Sequence, residues 1–144
     1  MKKFILIAVV LVNATVFAQK GPKIEFKDKD NTIDYGKVSK EDDTGLRTFV
    51  FTNTGDQPLV VKEAKSTCGC TVPTFSKEPI APGKTGSIDV KYNMNLGPIR
   101  KTITVETNAV NVEEGRVAIK IKGEVIEKPV VNLLEKKSTS PMMQ

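Results

Sequence analysis

The amino-acid sequence predicts an all-β fold, and three observations support this prediction. Short runs of residues alternate between apolar and polar side chains, which is the pattern of strands with one buried face. Clusters of Gly, Pro, Asn and Asp separate these runs, as expected for tight turns. No stretch of the sequence shows a helical apolar stripe of useful length.

The first half of the chain contains four predicted strands, at residues 24–26, 32–35, 46–52 and 59–64. Gly36 is expected to end the second of them, and residues 53–56 to form a turn after the third. Phe49 and Phe51 lie two residues apart in the third strand. They therefore share one face of it, because side chains alternate along a strand.

Three further strands are predicted at residues 86–92, 100–107 and 116–125, with turns at residues 80–84 and 96–98. The apolar residues that alternate along the first and last of these are expected to face the core: Ile88, Val90, Tyr92, Val117, Ile119 and Ile121. Lys120 and Lys122 are expected to face water. About seven short strands at this spacing predict an immunoglobulin-like β-sandwich, without the distant Cys pair and core Trp of antibody domains.

Residues 1–18 have the pattern of a cleavable signal peptide. The basic start Met1-Lys2-Lys3 is followed by an apolar run over residues 4–12 and by the small residue Ala18. The run is shorter than the roughly 20 apolar residues of a membrane-spanning helix. The first cysteine is Cys68, so no cysteine follows the run as a lipid attachment site. We therefore expect export to the periplasm or the medium, with no integral membrane segment after cleavage.

Cleavage divides the sequence into three parts: the signal peptide (1–18), the sandwich domain (19–131) and a flexible C-terminal tail (132–144). Removal of Lys2 and Lys3 lowers the formal net charge from +5 to +3. That weak charge, mixed with many acidic residues, argues against a nucleic-acid partner. The absence of His removes the commonest general base and metal ligand, and no phosphate-binding or G-x-S-x-G motif is present. We expect no enzyme activity, catalytic residue, metal site or cofactor. The carboxylates of Glu41, Asp42 and Asp43 are expected to form a solvated loop.

The segment Cys68-Gly69-Cys70 contains both cysteines of the chain. In an extended chain their Cα atoms would lie near the upper limit of about 6.8 Å for a disulfide, with Gly69 supplying backbone freedom. Three hypotheses remain open: a local structural disulfide or packed thiol pair, a Cu(I) site, and a thiol-redox site. Zinc would need two more ligands, and the usual redox spacing is one residue longer. Nearby Glu63, Lys65 and Lys77 are candidates to tune a thiol.

Several landmarks of the sequence resemble an exported bacterial family, catalogued as domain of unknown function 1573. They are residues 49–59 (FVFTNTGDQPL), residues 66–73 with the motif Cys68-Gly69-Cys70-Thr71, residues 80–84 and residues 107–108. The resemblance covers about residues 24–126. It implies an immunoglobulin-like sandwich similar to those of major sperm protein and pilus chaperones, and it implies nothing about catalysis, because the family has no established activity.

Two functional hypotheses follow. The first is an exported envelope protein of uncharacterised activity, which acts as a non-enzymatic interaction or structural module. Its partner would be another envelope protein, bound by adding a strand to an edge of one of the sheets. The alternative is a thiol-redox or copper-binding protein that acts through Cys68 and Cys70.

Overall fold

The computed structural model describes residues 20–130, so the predicted signal peptide and C-terminal tail lie outside the described residues. Within that range eight strands form two sheets, which confirms the predicted all-β sandwich. The first sheet has the order β1-β3-β6-β5 and contains β1 (Ile24–Phe26), β3 (Leu46–Asn53), β6 (Thr85–Tyr92) and β5 (Thr71–Phe75). All of its strand pairs are antiparallel.

The second sheet has the order β2-β8-β7-β4 and contains β2 (Thr32–Ser39), β8 (Arg116–Ile126), β7 (Gly97–Thr107) and β4 (Val61–Ser66). β2 runs parallel to β8, and the other two pairs are antiparallel. No helix within residues 20–130 has the length and apolar character to cross a membrane.

The core lies between the two sheets and is built from alternate residues of their strands. The inward positions predicted from the alternation are confirmed as buried except for Val117, which is partly buried, and Phe49 and Phe51 are central in the first sheet. The ring of Phe26 packs against both of them, with centroid distances of 6.3 and 5.6 Å. The other buried apolar residues of the predicted strands include Ile88, Val90, Tyr92, Ile103, Val105, Ile119 and Ile121. Lys120 and Lys122 are exposed, as predicted.

Three strands depart from the sequence prediction. β2 continues past Gly36 to Ser39, because Gly36 adopts a positive φ of 65° and the register shifts there, so that a bulge replaces the expected break. β7 begins at Gly97, within the expected turn. β5 was not predicted, since its exposed Val72 and its Pro73 do not fit the pattern of a half-buried strand.

The fully buried side chain of Asn53 joins three segments at one end of the sandwich. Its amide nitrogen donates to the carbonyls of Gln57 (2.7 Å) and Ile80 (2.8 Å). Its oxygen accepts from the backbone N–H groups of Gly55 (3.0 Å) and Lys23 (3.3 Å). The expected turn after β3 is therefore tied to two other loops, and we call this end of the molecule the Asn53 end.

Candidate functional site

The two cysteines lie at the corner where the chain passes from one sheet to the other. β4 is an edge strand of the second sheet and β5 an edge strand of the first, and residues 67–70 turn between them. The sulfur atoms of Cys68 and Cys70 are bonded, and their Cα atoms are 5.4 Å apart. The turn brings the Cα atoms closer than an extended chain would, to a distance typical of disulfides. We call this end of the sandwich the cysteine end.

Backbone hydrogen bonds hold this corner against β6. The N–H of Asn93 donates to the carbonyl of Cys70 at 3.0 Å, and the N–H of Thr71 approaches the carbonyl of Cys68 at 3.5 Å. The side chain of Cys70 packs against the core. Gly69 does not have a positive φ, and a Cβ atom on it would meet nothing within 4 Å. The turn therefore does not need the backbone freedom expected of Gly69, and both cysteines of the bridge are half-buried.

Two of the three charged residues expected near the cysteines pair with each other. The ammonium group of Lys65 lies 2.8 Å from the carboxylate of Glu63, and this hydrogen bond raises the pKa of Lys65. Lys77 lies beyond the end of β5, in the segment that follows it. Within residues 20–130, no three His, Cys, Asp or Glu side chains are grouped to hold a metal ion.

The acidic loop at the same end is tied to neighbouring groups. Asp43 accepts two hydrogen bonds from the guanidinium of Arg47, at 2.6 and 3.0 Å, and these lower the pKa of Asp43. Arg47 also lies 3.9 Å above the ring centre of Tyr35. Asp42 accepts hydrogen bonds from Lys128 and Ser39, both at 2.8 Å. These contacts give Asp42 and Asp43 separate structural partners.

Burial raises the pKa of Tyr35 to about 12. Its hydroxyl donates to the carbonyl of Gly45 at 2.8 Å, so the neutral phenol is the form that the fold holds. Together with Arg47 above its ring, this contact closes the core at the cysteine end.

Four large apolar side chains are exposed at the cysteine end, and we call them the cysteine-end patch: Leu46, Val72, Leu96 and Ile126, exposed by 46%, 56%, 60% and 37%. Leu46 and Val72 flank Lys91 in one row across the first sheet. Lys91 is turned aside to donate to the carbonyl of Thr44. Leu96 and Ile126 line a cleft of about 310 Å³. The sequence did not reveal the patch, because its members come from four separate segments.

The outer edges of the first sheet are both blocked. Because Cys70 pairs with Asn93, the alternation of antiparallel bonds directs the backbone of Thr71, Pro73 and Phe75 away from β6. Pro73 has no N–H to offer to another strand at that edge. At the opposite edge, the side-chain amide of Asn111 bonds both the N–H and the carbonyl of Ile24, at 3.0 and 2.9 Å. These features disfavour pairing with a partner strand at either edge.

Comparison with known proteins gives the chain a family and a fold. A family model described as "Protein of unknown function (DUF1573)" matches residues 24–125. No curated protein sequence matches the chain. A protein of unknown function from Porphyromonas gingivalis W83 has a similar structure, with a TM-score of 0.62 and 16% identity. That match covers 76% of this chain and 50% of the other, so the chain spans half the length of that protein.

Two further structures are similar at lower identity. The ASH / PapD-like domain 7 of human CEP192 gives a TM-score of 0.55 at 12% identity, covering 82% of this chain and 97% of that domain. The YadV chaperone gives a TM-score of 0.51 at 13% identity, and the match covers 72% of this chain and 52% of the chaperone. At these identities the likeness establishes the immunoglobulin-like, PapD-like sandwich and nothing about activity.

Proposed function

Since the chain belongs to the DUF1573 family of proteins of unknown function, we propose that it is an exported, non-enzymatic interaction module that binds another envelope protein. The observation that carries this proposal is the cysteine-end patch, where four of the six large exposed apolar residues within residues 20–130 lie at one end. Several large apolar side chains exposed at one end of a small domain are a common mark of a protein-binding surface. The similarity to a chaperone and to a PapD-like domain supports a binding role.

The patch suits a protein partner because it sits on a rigid part of the fold. Leu46 and Val72 lie on paired strands, and the disulfide-linked corner directly precedes Val72. A rigid surface loses little conformational entropy on binding, so more of the interaction energy appears as affinity. Because both edges of the first sheet are blocked, we expect a partner to contact side chains at this end rather than to pair with a strand of that sheet.

Site-specific cross-linking tests this proposal. A photoreactive side chain at position 72 or 96, in protein expressed with its signal peptide in the host bacterium, is expected to give one adduct of defined mass. The matched control is position 87, an exposed serine on the same sheet toward the Asn53 end. Val72→Glu introduced beside a position-96 probe should abolish the adduct. Equal adducts at positions 72 and 87, or none at 72 and 96, would contradict the proposal.

Export is tested separately, by the mass and N-terminal sequence of the protein recovered from the envelope fraction. We expect a chain that begins near Gln19. The first backbone contacts of the fold follow soon after, where Gly21 donates to the carboxylate of Asp56 at 2.7 Å. Recovery of the intact chain from the cytoplasm would contradict export.

A second candidate function rests on the half-buried disulfide of Cys68 and Cys70. In a thiol-redox role, a substrate thiolate attacks the sulfur of Cys68, the S–S bond breaks, and Cys70 leaves as a thiolate. A second substrate thiol then displaces Cys68, so the substrate gains a disulfide and the cysteine pair gains two electrons and two protons. A small-molecule disulfide reoxidises the pair. We place the attack at Cys68 because Cys70 packs against the core.

In the reduced protein the same two thiolates are suitable ligands for Cu(I). Intact mass in glutathione buffers reports the redox state, since reduction adds about 2 Da. Titration with Cu(I) of the reduced protein, against Cys68→Ser/Cys70→Ser, reports copper binding. A disulfide that stays closed at strongly reducing glutathione ratios, with no thiol-dependent copper binding, would remove this candidate.

A further inference from the structure

The outer face of the second sheet holds a concentration of positive charge that the rest of the domain lacks. A groove of about 720 Å³ lies there, and the lining residues on this face include four cations and two carboxylates: Lys29, Arg100, Lys120, Lys122, Asp30 and Asp34. Lys101 also borders the groove, but it pairs with the buried Ile121 and therefore lies on the inner face of the sheet. Of the chain's 22 basic and 17 acidic residues, 18 and 16 lie within residues 20–130. With four cations against two carboxylates, this face of the groove carries as much net positive charge as the whole described domain.

The strand register places like charges directly opposite each other in this groove. Arg100 on β7 faces Lys122 on β8, and Lys120 lies two residues along β8 from Lys122. Like charges opposite each other on paired strands destabilise a sheet. Only Lys122 has an ion-pair partner among the described groove residues, in Asp34 at 3.5 Å. An anionic ligand would relieve the repulsion between Arg100 and Lys122.

The shape of the groove selects among anionic ligands. A short 3₁₀ turn at Lys29–Asn31 forms one wall of the groove. The turn is fixed by two hydrogen bonds to backbone carbonyls, from the N–H of Asn31 to Asp28 and from the hydroxyl of Thr32 to Asp30. The floor spans β2, β8 and β7, so it is about 10 Å wide at the usual strand spacing. A concave surface of this width fits an extended chain better than a flat bilayer.

We propose that this groove binds an acidic polypeptide segment in extended conformation. Lys120 and Lys122 are about 6.8 Å apart along their strand, which is also the spacing of alternate side chains in an extended peptide. A segment with carboxylates at every second residue thus meets both lysines, and Arg100 offers a bidentate contact to one carboxylate. This surface is separate from the cysteine-end patch and adds a second partner-binding region to the domain.

The test is a fluorescence anisotropy titration with a labelled peptide of alternating Glu and Ser, compared with the same peptide carrying Gln for Glu. We expect the Glu peptide to bind and the Gln peptide not to bind, with affinity falling as salt is raised. Arg100→Gln/Lys120→Gln should weaken binding about tenfold or more. The matched control Lys77→Gln/Lys84→Gln removes the same charge outside the groove and should leave affinity within about twofold.

Three outcomes would overturn the inference. They are equal losses in both double variants, equal binding of the Glu and Gln peptides, and groove-dependent binding of phosphatidylglycerol vesicles without binding of the peptide. Thermal unfolding of both double variants establishes that they fold. Because the cross-linking at positions 72 and 96 uses another surface, its result stands or fails independently of this one.

Discussion

Replacing Asn53 tests whether one buried amide holds the Asn53 end together. Asn53→Ala removes four hydrogen bonds, two to backbone N–H groups and two to carbonyls. Of the four backbone groups that lose Asn53 as a partner, the carbonyl of Ile80 still accepts from the N–H of Leu59 at 2.9 Å, so the penalty falls mainly on the other three. At about 1 kcal/mol for each hydrogen bond, partly offset by water, we expect a loss of about 3–4 kcal/mol.

Urea unfolding followed by far-ultraviolet circular dichroism measures this loss. With a slope of about 1–2 kcal/mol per molar for a domain of this size, the midpoint should fall by about 2 M or more. Asn95→Ala is the matched control, because Asn95 is exposed, and it should stay within about 0.5 kcal/mol of the wild type.

Asn53→Asp sharpens the same test. It keeps an acceptor for both N–H groups but sets a carboxylate oxygen against the two carbonyls at 2.7 and 2.8 Å. It should therefore destabilise the protein at neutral pH at least as much as alanine, and less once the new carboxyl is protonated. A loss below about 1 kcal/mol in both Asn53 variants would refute the reasoning.

Three further predictions concern the cysteine end. Arg47→Gln should lower the free energy of unfolding by about 1–2 kcal/mol at neutral pH. Because Arg47 lowers the pKa of Asp43, the wild type should lose this extra stability as the pH falls through that lowered pKa. The urea midpoints of wild type and variant should therefore converge in acid. Parallel midpoints would contradict the pair's role. Reduction of the bridge, or Cys68→Ser/Cys70→Ser, should lower the free energy of unfolding by about 1–2 kcal/mol, since so short a loop restricts the unfolded chain little. Urea midpoints with and without reductant measure this loss, and a loss above about 4 kcal/mol would contradict the prediction. Pro73→Val restores an outward N–H at the edge of β5 and should promote self-association in light scattering; a variant that stays as monomeric as the wild type would show that Pro73 does not guard the edge.

The strands with regular alternation could be predicted from the sequence because their pattern is local. Phe49 and Phe51, or Ile119 and Ile121, show which face is buried without knowledge of their neighbours. β5 could not be found this way. Its exposed Val72 and its Pro73 are tolerated only because it is an edge strand. The expected strand end at Gly36 was wrong for a related reason, since glycine is typical both of a β-bulge and of the end of a strand.

The candidate site was predictable only in part. The sequence itself shows that Cys68 and Cys70 are the two cysteines of the chain and lie one residue apart, so any thiol chemistry must use them. The distance between them depends on a turn, and the turn depends on where β4 leaves one sheet and β5 enters the other. Neither sheet assignment follows from the local pattern of residues 66–71.

The sequence by itself determined the fold class, the residues of the core and the family to which the chain belongs, because these follow from local alternation and from landmarks in a fixed order. Only the tertiary structure decided which surface residues are neighbours. Arg100 and Lys122 are 22 positions apart in the sequence and directly opposite in the sheet. Leu46, Val72, Leu96 and Ile126 gather at one end through the packing of the two sheets. Strand register is set by contacts between distant segments, and both proposed binding surfaces are products of that register.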